Sequence, residues 1–231
     1  RWLCKREFNQ QKFLGLNERP MEFAFLFRKI AEIYPKTVLD VGTGMTAVPY
    51  MLRNSGLLVT AIDNIKDYWP KGMVNRHFHV VNDDIKNTKL TKTFDVITCI
   101  SVLEHIQDDE KALDQIKKIM QKDGLLILYV PASMKAWSQM DIDAGHHRRY
   151  EKKEILEKLE RNNFKVIHYS FKDCAGWLIL VIFRFLKIKP KFNKRLLIIY
   201  DKIFFPFFRS IDILAGKFFG KNIFVVAKLQ D

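Results

Sequence analysis

The run Val38-Leu39-Asp40-Val41-Gly42-Thr43-Gly44 limits the possible folds more than any other stretch of this chain. It is an apolar, β-branched segment that ends in an acid and breaks into a glycine turn. A helical segment follows over 46–54. Residues 57–62 then read as a second apolar strand, closed by Asp63. Strand, glycine turn, helix and a second strand ending in an acid make the first half of a nucleotide-binding α/β unit, where the acid is suited to ribose hydroxyls.

The pattern continues along the chain. Residues 17–34 carry Met21, Ala24, Phe25, Phe27, Ile30, Ala31 and Tyr34 at helical spacing behind Pro20. Strands are predicted over 37–41, 57–63, 76–82, 94–100, 125–130, 164–171 and 221–229, with helices over 108–121 and 151–162 and a loop over 67–74. Asp123-Gly124 is read as the stop of the first of these helices, and Asn163 as the cap of the second. Continuous apolar strands alternating with helices imply a mostly parallel sheet covered on both faces. Residues 132–150 read as irregular and polar. With 231 residues and no repeat or linker, the expectation is one domain. It comprises an N-terminal helical segment (1–35), a core (36–171 and 221–231) and an inserted segment (172–220) ahead of the last strand.

Three cysteines, Cys4, Cys99 and Cys174, are far apart and form no CxxC pair. This points to free thiols in a reducing compartment and argues against a zinc cluster or a disulfide framework. His77 and His79 could share a strand face but lack partners at ligand spacing, so no metal site is expected. No leader pattern is visible from Arg1 onward, and the expected location is cytoplasmic. The net charge of +13 calls for an anionic partner. From Arg184 to Lys221 there are ten Lys/Arg against two Asp/Glu, and 183–221 holds nine of the nineteen Phe.

Gly42-x-Gly44-x-x-Ala47 fits a dinucleotide fingerprint, but Asp40 opposes that assignment. A carboxylate two residues before the first glycine would repel a pyrophosphate. It would favour S-adenosylmethionine (SAM), which carries an ammonium and a sulfonium and no phosphate. At this point the sequence resembles the class I SAM-dependent methyltransferases over 36–170 and 221–229, in four ordered motifs. The resemblance implies a Rossmann-like, seven-stranded, mostly parallel sheet. It implies a cofactor turn of Asp40, Val41, Gly42, Thr43, Gly44 and Thr46, where Thr46 replaces a commoner glycine. Asp63 with Asn64 would hold the ribose. Asp84-Ile85, or Asp83 if the register slips by one, would hold the adenine. Ser101, in the turn of Phe94–Ile106, would lie near the methionine part. Asp95 and Cys99 are read as structural, and His105 as packing or capping the next helix.

A second constellation, Asp141-Ile142-Asp143-Ala144-Gly145-His146-His147-Arg148-Arg149-Tyr150, resembles a Gly-His-x-Arg-Arg-Tyr segment found in a subset of these enzymes. The expectation is that His146 or His147 accepts a proton, oriented by Asp143, and that Arg148, Arg149 and Tyr150 contact the acceptor. The opposite reading has Arg149-Tyr150 capping the following helix. The expected reaction is O-methylation of a small-molecule, glycan or lipid-linked acceptor by direct displacement without metal.

In the insertion, 175–183 is continuously apolar but too short to span a bilayer, and 196–219 is interrupted by Asp201, Lys202, Arg209, Asp212 and Lys217. Helices there would cap the active site, join two subunits, or lie on an anionic membrane at its inner face. The rival readings are a nucleic-acid methyltransferase, a nicotinamide oxidoreductase and a non-catalytic SAM-fold protein at a membrane. A base-flipping amino-methyltransferase would commonly carry Asn/Asp-Pro-Pro-aromatic after strand four, where this chain has Ile100-Ser101-Val102-Leu103.

Overall fold

The computed structural model describes residues 26, 28–44, 48–65, 78–188, 212 and 214–230. Seven strands form one sheet: β1 (Thr37–Val41), β2 (Leu58–Asp63), β3 (Phe78–Asn82), β4 (Phe94–Ile100), β5 (Met120–Pro131), β6 (Phe164–Lys172) and β7 (Asn222–Leu229). Their order is β3-β2-β1-β4-β5-β7-β6. The first five strands run parallel, while β7 inserts antiparallel between β5 and β6. This is the expected seven-stranded, mostly parallel Rossmann-like sheet.

Alternation along each strand divides the core into two layers. Val38 on β1 faces a layer with Val48 and Leu52 of α1 (Val48–Asn54), Leu26 and Ile30. Leu39 and Val41 face the opposite layer. That layer holds Ala112, Leu113 and Ile116 of α2 (Asp109–Lys118) and Ile155 and Leu159 of α4 (Lys152–Arg161). Helices therefore cover both faces, as continuous apolar strands require.

The strand expectations hold to within a few residues, except that β5 begins at Met120 rather than at 125. Met120 already pairs with Phe94, so α2 ends at Lys118, and Asp123-Gly124 lies inside the strand rather than stopping a helix. Helix α4 is capped by Asn162, with Asn163 in the left-handed region (φ 63°). The segment 132–150, read as irregular, contains the short helix α3 (Gln139–Asp143) behind a Ser138/Asp141 capping box. The expected helix at 17–34 is described only for its final part, residues 26 and 28–31. The apolar start of the insertion folds as α5 (Cys174–Phe185). Residues 45–47, 66–77, 189–211 and 213 lie outside the described residues. Thr46, the loop predicted over 67–74, His77 and most of 196–219 therefore lie there too.

In this order the succession of strands switches from one side of β1 to the other between β3 and β4, so β1 and β4, which run parallel, flank the switch point. Open α/β sheets bind ligands in the crevice beyond the strand ends at such a switch point.

Candidate functional site

Beyond the carboxyl ends of β1–β4 lies a cavity of about 310 Å³. Gly42 supplies its floor at φ +63°, and a Cβ there would stand 2.4 Å from Val102 Cγ2. The turn therefore requires glycine twice over, for backbone conformation and for space. Gly42 N–H donates to Ile62 O at 2.8 Å, and Gly44 N–H donates to Asp63 Oδ2 at 2.8 Å. Asp63 Oδ1 accepts from Ile65 N–H at 2.9 Å. Each Asp63 oxygen keeps a second lone pair for a hydroxyl, and the side chain lines the cavity beside Asn64.

Asp40 lies beneath this turn and does not line the cavity. It is 2% exposed, and its Oδ1 accepts from Thr98 Oγ1 at 2.6 Å. Burial pushes its carboxyl from 3.8 up to about 6, against the lowering effect of the Thr98 and Thr43 hydroxyls. Thr43, also buried, donates its hydroxyl to Asp40 O at 3.0 Å.

The two acids after β3 separate by role. Asp83 is used locally: Oδ1 accepts from Asp84 N–H, and Oδ2 accepts from Thr88 Oγ1 and Lys89 N–H. These bonds, the Lys89 amide first, hold its carboxyl below the ordinary range. Asp84 caps the turn Ile85–Asn87 through Lys86 N–H, with Lys86 Nζ at 3.4 Å from its other oxygen. Ile85 presents an apolar side chain to the same cavity. Ser101 has φ 53° and is exposed, with its N–H on Tyr129 O. It is the next residue, Val102, that lines the cavity.

The 132–150 loop is fastened to the sheet by a bridge between Ala132 and Tyr150 and by His147 N–H on Glu104 O at 2.8 Å. Here several sequence expectations are corrected. Arg149 does not face an acceptor. It is 4% exposed, and its guanidinium bonds Asp141 Oδ1, Ala132 O and Lys221 O. Tyr150 is fully buried, with its hydroxyl proton shared between Asp109 Oδ2 at 2.7 Å and Leu103 O at 3.1 Å. Arg148 reaches Asp109 Oδ2 at 3.0 Å and Gln107 O. Asp109 also takes Lys158 Nζ at 2.6 Å, so this group of charges staples α2, α4 and the loop. Asp143 is exposed and accepts from Gln139 Nε2. The acid that orients His146 is Asp141, at 2.9 Å from Nδ1. Burial works against ionisation of Asp141, but the bonds from His146 and Arg149 outweigh it and keep the carboxyl below its usual range.

Of the two predicted histidines, His147 lines the cavity. His146 lies behind it, stacked edge-on against His105 with centroids 4.7 Å apart. His105, read as packing, also lines the cavity and places Nδ1 at 3.3 Å from Gly145 O. Burial, then the charge of His146, lowers its pKa. Glu104 is 1% exposed, and burial pushes its carboxyl up to about 8. Glu104 was missed by sequence reasoning. Its position immediately beyond β4, at the switch point, was the available signal.

A family model described as a methyltransferase domain matches residues 15–169. Among curated proteins, the chain is similar to the ubiquinone biosynthesis O-methyltransferases of Haemophilus ducreyi and Glaesserella parasuis. The first is 27% identical over 55% of this chain and 59% of its own length. The second is 29% identical over 47% and 51%. The chain thus matches little more than half the length of these relatives. Among solved structures, a SAM-dependent methyltransferase from Archaeoglobus fulgidus superposes with TM-score 0.62 at 19% identity, covering 96% of this chain and 99% of that one. The Burkholderia thailandensis 1,6-didemethyltoxoflavin-N1-methyltransferase, solved with S-adenosylhomocysteine, gives TM-score 0.57 at 16% identity over 98% and 83%.

Proposed function

Because the chain belongs to the class I SAM-dependent methyltransferases, we propose that it transfers the methyl group of SAM to a hydroxyl oxygen of a small-molecule acceptor. The observation that carries this reading is one cavity in which Gly42, Asp63, Asp84-Ile85 and His147 converge. Asp63 accepts from the ribose hydroxyls. Ile85 packs on the adenine, and Asp84 accepts from its amino group. Asp40, beneath the turn, favours the cationic methionine end by charge rather than by contact. His147 takes the hydroxyl proton while the oxygen attacks the methyl carbon and the carbon–sulfur bond breaks, leaving S-adenosylhomocysteine. Alignment supplies most of the rate, because the methyl is already activated. Oxygen as the target is supported by the O-methyltransferases among the relatives.

The test is transfer of labelled methyl from SAM into fractionated cell extract. Label in small molecules, lost with S-adenosylhomocysteine as competitor, is the expected result. Label confined to nucleic acid would replace this reading with that of a nucleic-acid methyltransferase.

A finer reading makes the acceptor glycan- or lipid-linked and puts the protein at the inner face of a membrane. One observation favours it. Leu178, Ile182 and Phe185 form an exposed stripe at i, i+4 and i+7 on α5, with Phe185 85% exposed. Among the described residues, no helix is long and apolar enough to cross a membrane. A shallow groove of about 540 Å³ lies beside the stripe, lined by Met134, Lys135, Val181, Arg184 and Phe185. It offers an apolar tail a seat near two cations.

A further inference from the structure

The turn after β4 and the loop after β5 meet over a buried carboxylate. Among the described residues, Glu104 Oε2 has no hydrogen-bond partner, although Glu104 is 1% exposed. An orphaned carboxylate oxygen at that depth is costly unless a cation meets it. Arg149, the nearby guanidinium, spends its bonds on Asp141, Ala132 O and Lys221 O. His146 Nε2 stands 4.0 Å from Glu104 Oε1, beyond a hydrogen bond.

The chemistry around this carboxyl group is that of a metal cradle. One donor atom from each of Glu104, His105 and His146 lies within 4.8 Å of the other two. Both imidazoles are pinned through Nδ1, His146 on Asp141 Oδ1 at 2.9 Å and His105 on Gly145 O at 3.3 Å. A ring nitrogen facing an acceptor carries the proton, so each neutral ring turns a bare Nε2 outward. Histidines oriented by a carboxylate or carbonyl on the far nitrogen are the usual outer shell of metal sites. We propose that Glu104, His105 and His146 bind one divalent transition ion, with zinc matching the donor set of two imidazoles and a carboxylate.

Tetrahedral donors around zinc sit about 3.3 Å apart. Closing the triangle therefore takes a shift of an ångström or so, mostly from His105 in its exposed turn. Three protein ligands leave a position open, and His105 places the ion on the cavity wall beside His147. The role of the ion, though not its binding, rests on the methyl-transfer reading. The acceptor hydroxyl binds the ion and loses its proton to His147, which passes it to water. The oxyanion bonds the methyl carbon as the carbon–sulfur pair leaves on sulfur.

The test titrates the whole, chelator-stripped protein with zinc alone, and separately with cobalt(II) for its visible spectrum. One ion per chain is expected, with affinity falling at least about 100-fold in Glu104→Gln and His146→Ala and about 10- to 100-fold in Asp141→Asn. Neither Glu104 nor His146 lines the cofactor cavity, so S-adenosylhomocysteine binding reports whether those variants fold. His105→Ala, at an exposed position, gives a fourth variant should a buried one unfold. Absence of stoichiometric zinc, or variants that bind it like the parent, would overturn the site. Zinc bound at one equivalent but methyl transfer indifferent to chelator would overturn its role. Failure to bind S-adenosylhomocysteine would instead sink the methyl-donor reading and leave the zinc titration to decide the site.

Discussion

At the scale of single residues, Asp40 and Gly42 set the terms for the glycine turn after β1. Asp40 titrates near 6 in the folded chain against 3.8 ordinarily. Between those values the native state holds a proton that the unfolded chain has lost, so this group makes stability fall as pH rises from about 4 to about 6. Above that its buried charge costs about 3 kcal/mol, the free energy of a roughly hundredfold tighter hold on the proton. Asp40→Asn, which still accepts from Thr98, should therefore stabilise the protein by up to about 3 kcal/mol at pH 7.5. The gain should vanish below pH 4, as thermal melts across pH would show. The same substitution should weaken SAM more than S-adenosylhomocysteine, because only SAM carries the sulfonium. Equal losses for both would remove the charge argument. Gly42→Ala should abolish binding of either, since a methyl 2.4 Å from Val102 cannot be accommodated. Adding Val102→Ala relieves the clash but not the positive φ, so calorimetry should find partial recovery.

Elements explain both what was legible in the sequence and what was not. The strands were legible because both faces of a central strand are buried, which leaves nearly unbroken apolar runs such as Phe94–Ile100. The acids that line the cavity, Asp63, Asp83 and Asp84, were legible because they sit where strands end. The roles within Asp141–Tyr150 were not. Asp141 and Asp143 are two residues apart on a five-residue helix, so they point about 200° apart. Nothing local says which one faces inward. Arginine and tyrosine beside two histidines look like a binding set, yet their bonds go to Asp109, 39 to 41 residues away in the chain, and to Asp141. The consequence is measurable by denaturant unfolding. Asp109→Ala strands Lys158, Arg148 and Tyr150 together and should cost about 3–5 kcal/mol. Tyr150→Phe, which leaves Asp109 two cationic partners, should cost about 1–2 kcal/mol. If Tyr150→Phe instead spared stability and raised the KM for acceptor, Tyr150 would be a binding residue after all.

For the whole molecule, the proposed division of labour follows the sheet. On that reading the β1–β4 half holds the methyl donor, and the β5–β7 half with its loops and α5 determines the acceptor. If the exposed stripe meets a membrane, the Ile182→Glu/Phe185→Glu pair should lose flotation with anionic vesicles while keeping S-adenosylhomocysteine affinity within about threefold. Each charge set against the bilayer costs on the order of 1–3 kcal/mol. Unchanged flotation, or none by the parent protein, would return α5 to the role of a cap. The net charge of +13 predicts a steep loss of any such binding between low and physiological salt.

The position of β7 has a consequence in time as well as space. The seventh strand, Asn222–Leu229, is made well after β6 yet fills the slot between β5 and β6. Lys221 O, just ahead of it, accepts from Arg149, which also holds Asp141 and through it His146. A ribosome that has finished β6 has therefore made both histidines but not the strand on which their anchor closes. Until about sixty more residues emerge, β5 presents one unpaired edge and β6 has no strand partner at all, the kind of surface that recruits chaperones or aggregates. On the proposed reading the nascent chain can form its donor turn early, but its chemistry waits for β7. Stalling translation inside the insertion should leave chains that are protease-sensitive and inert.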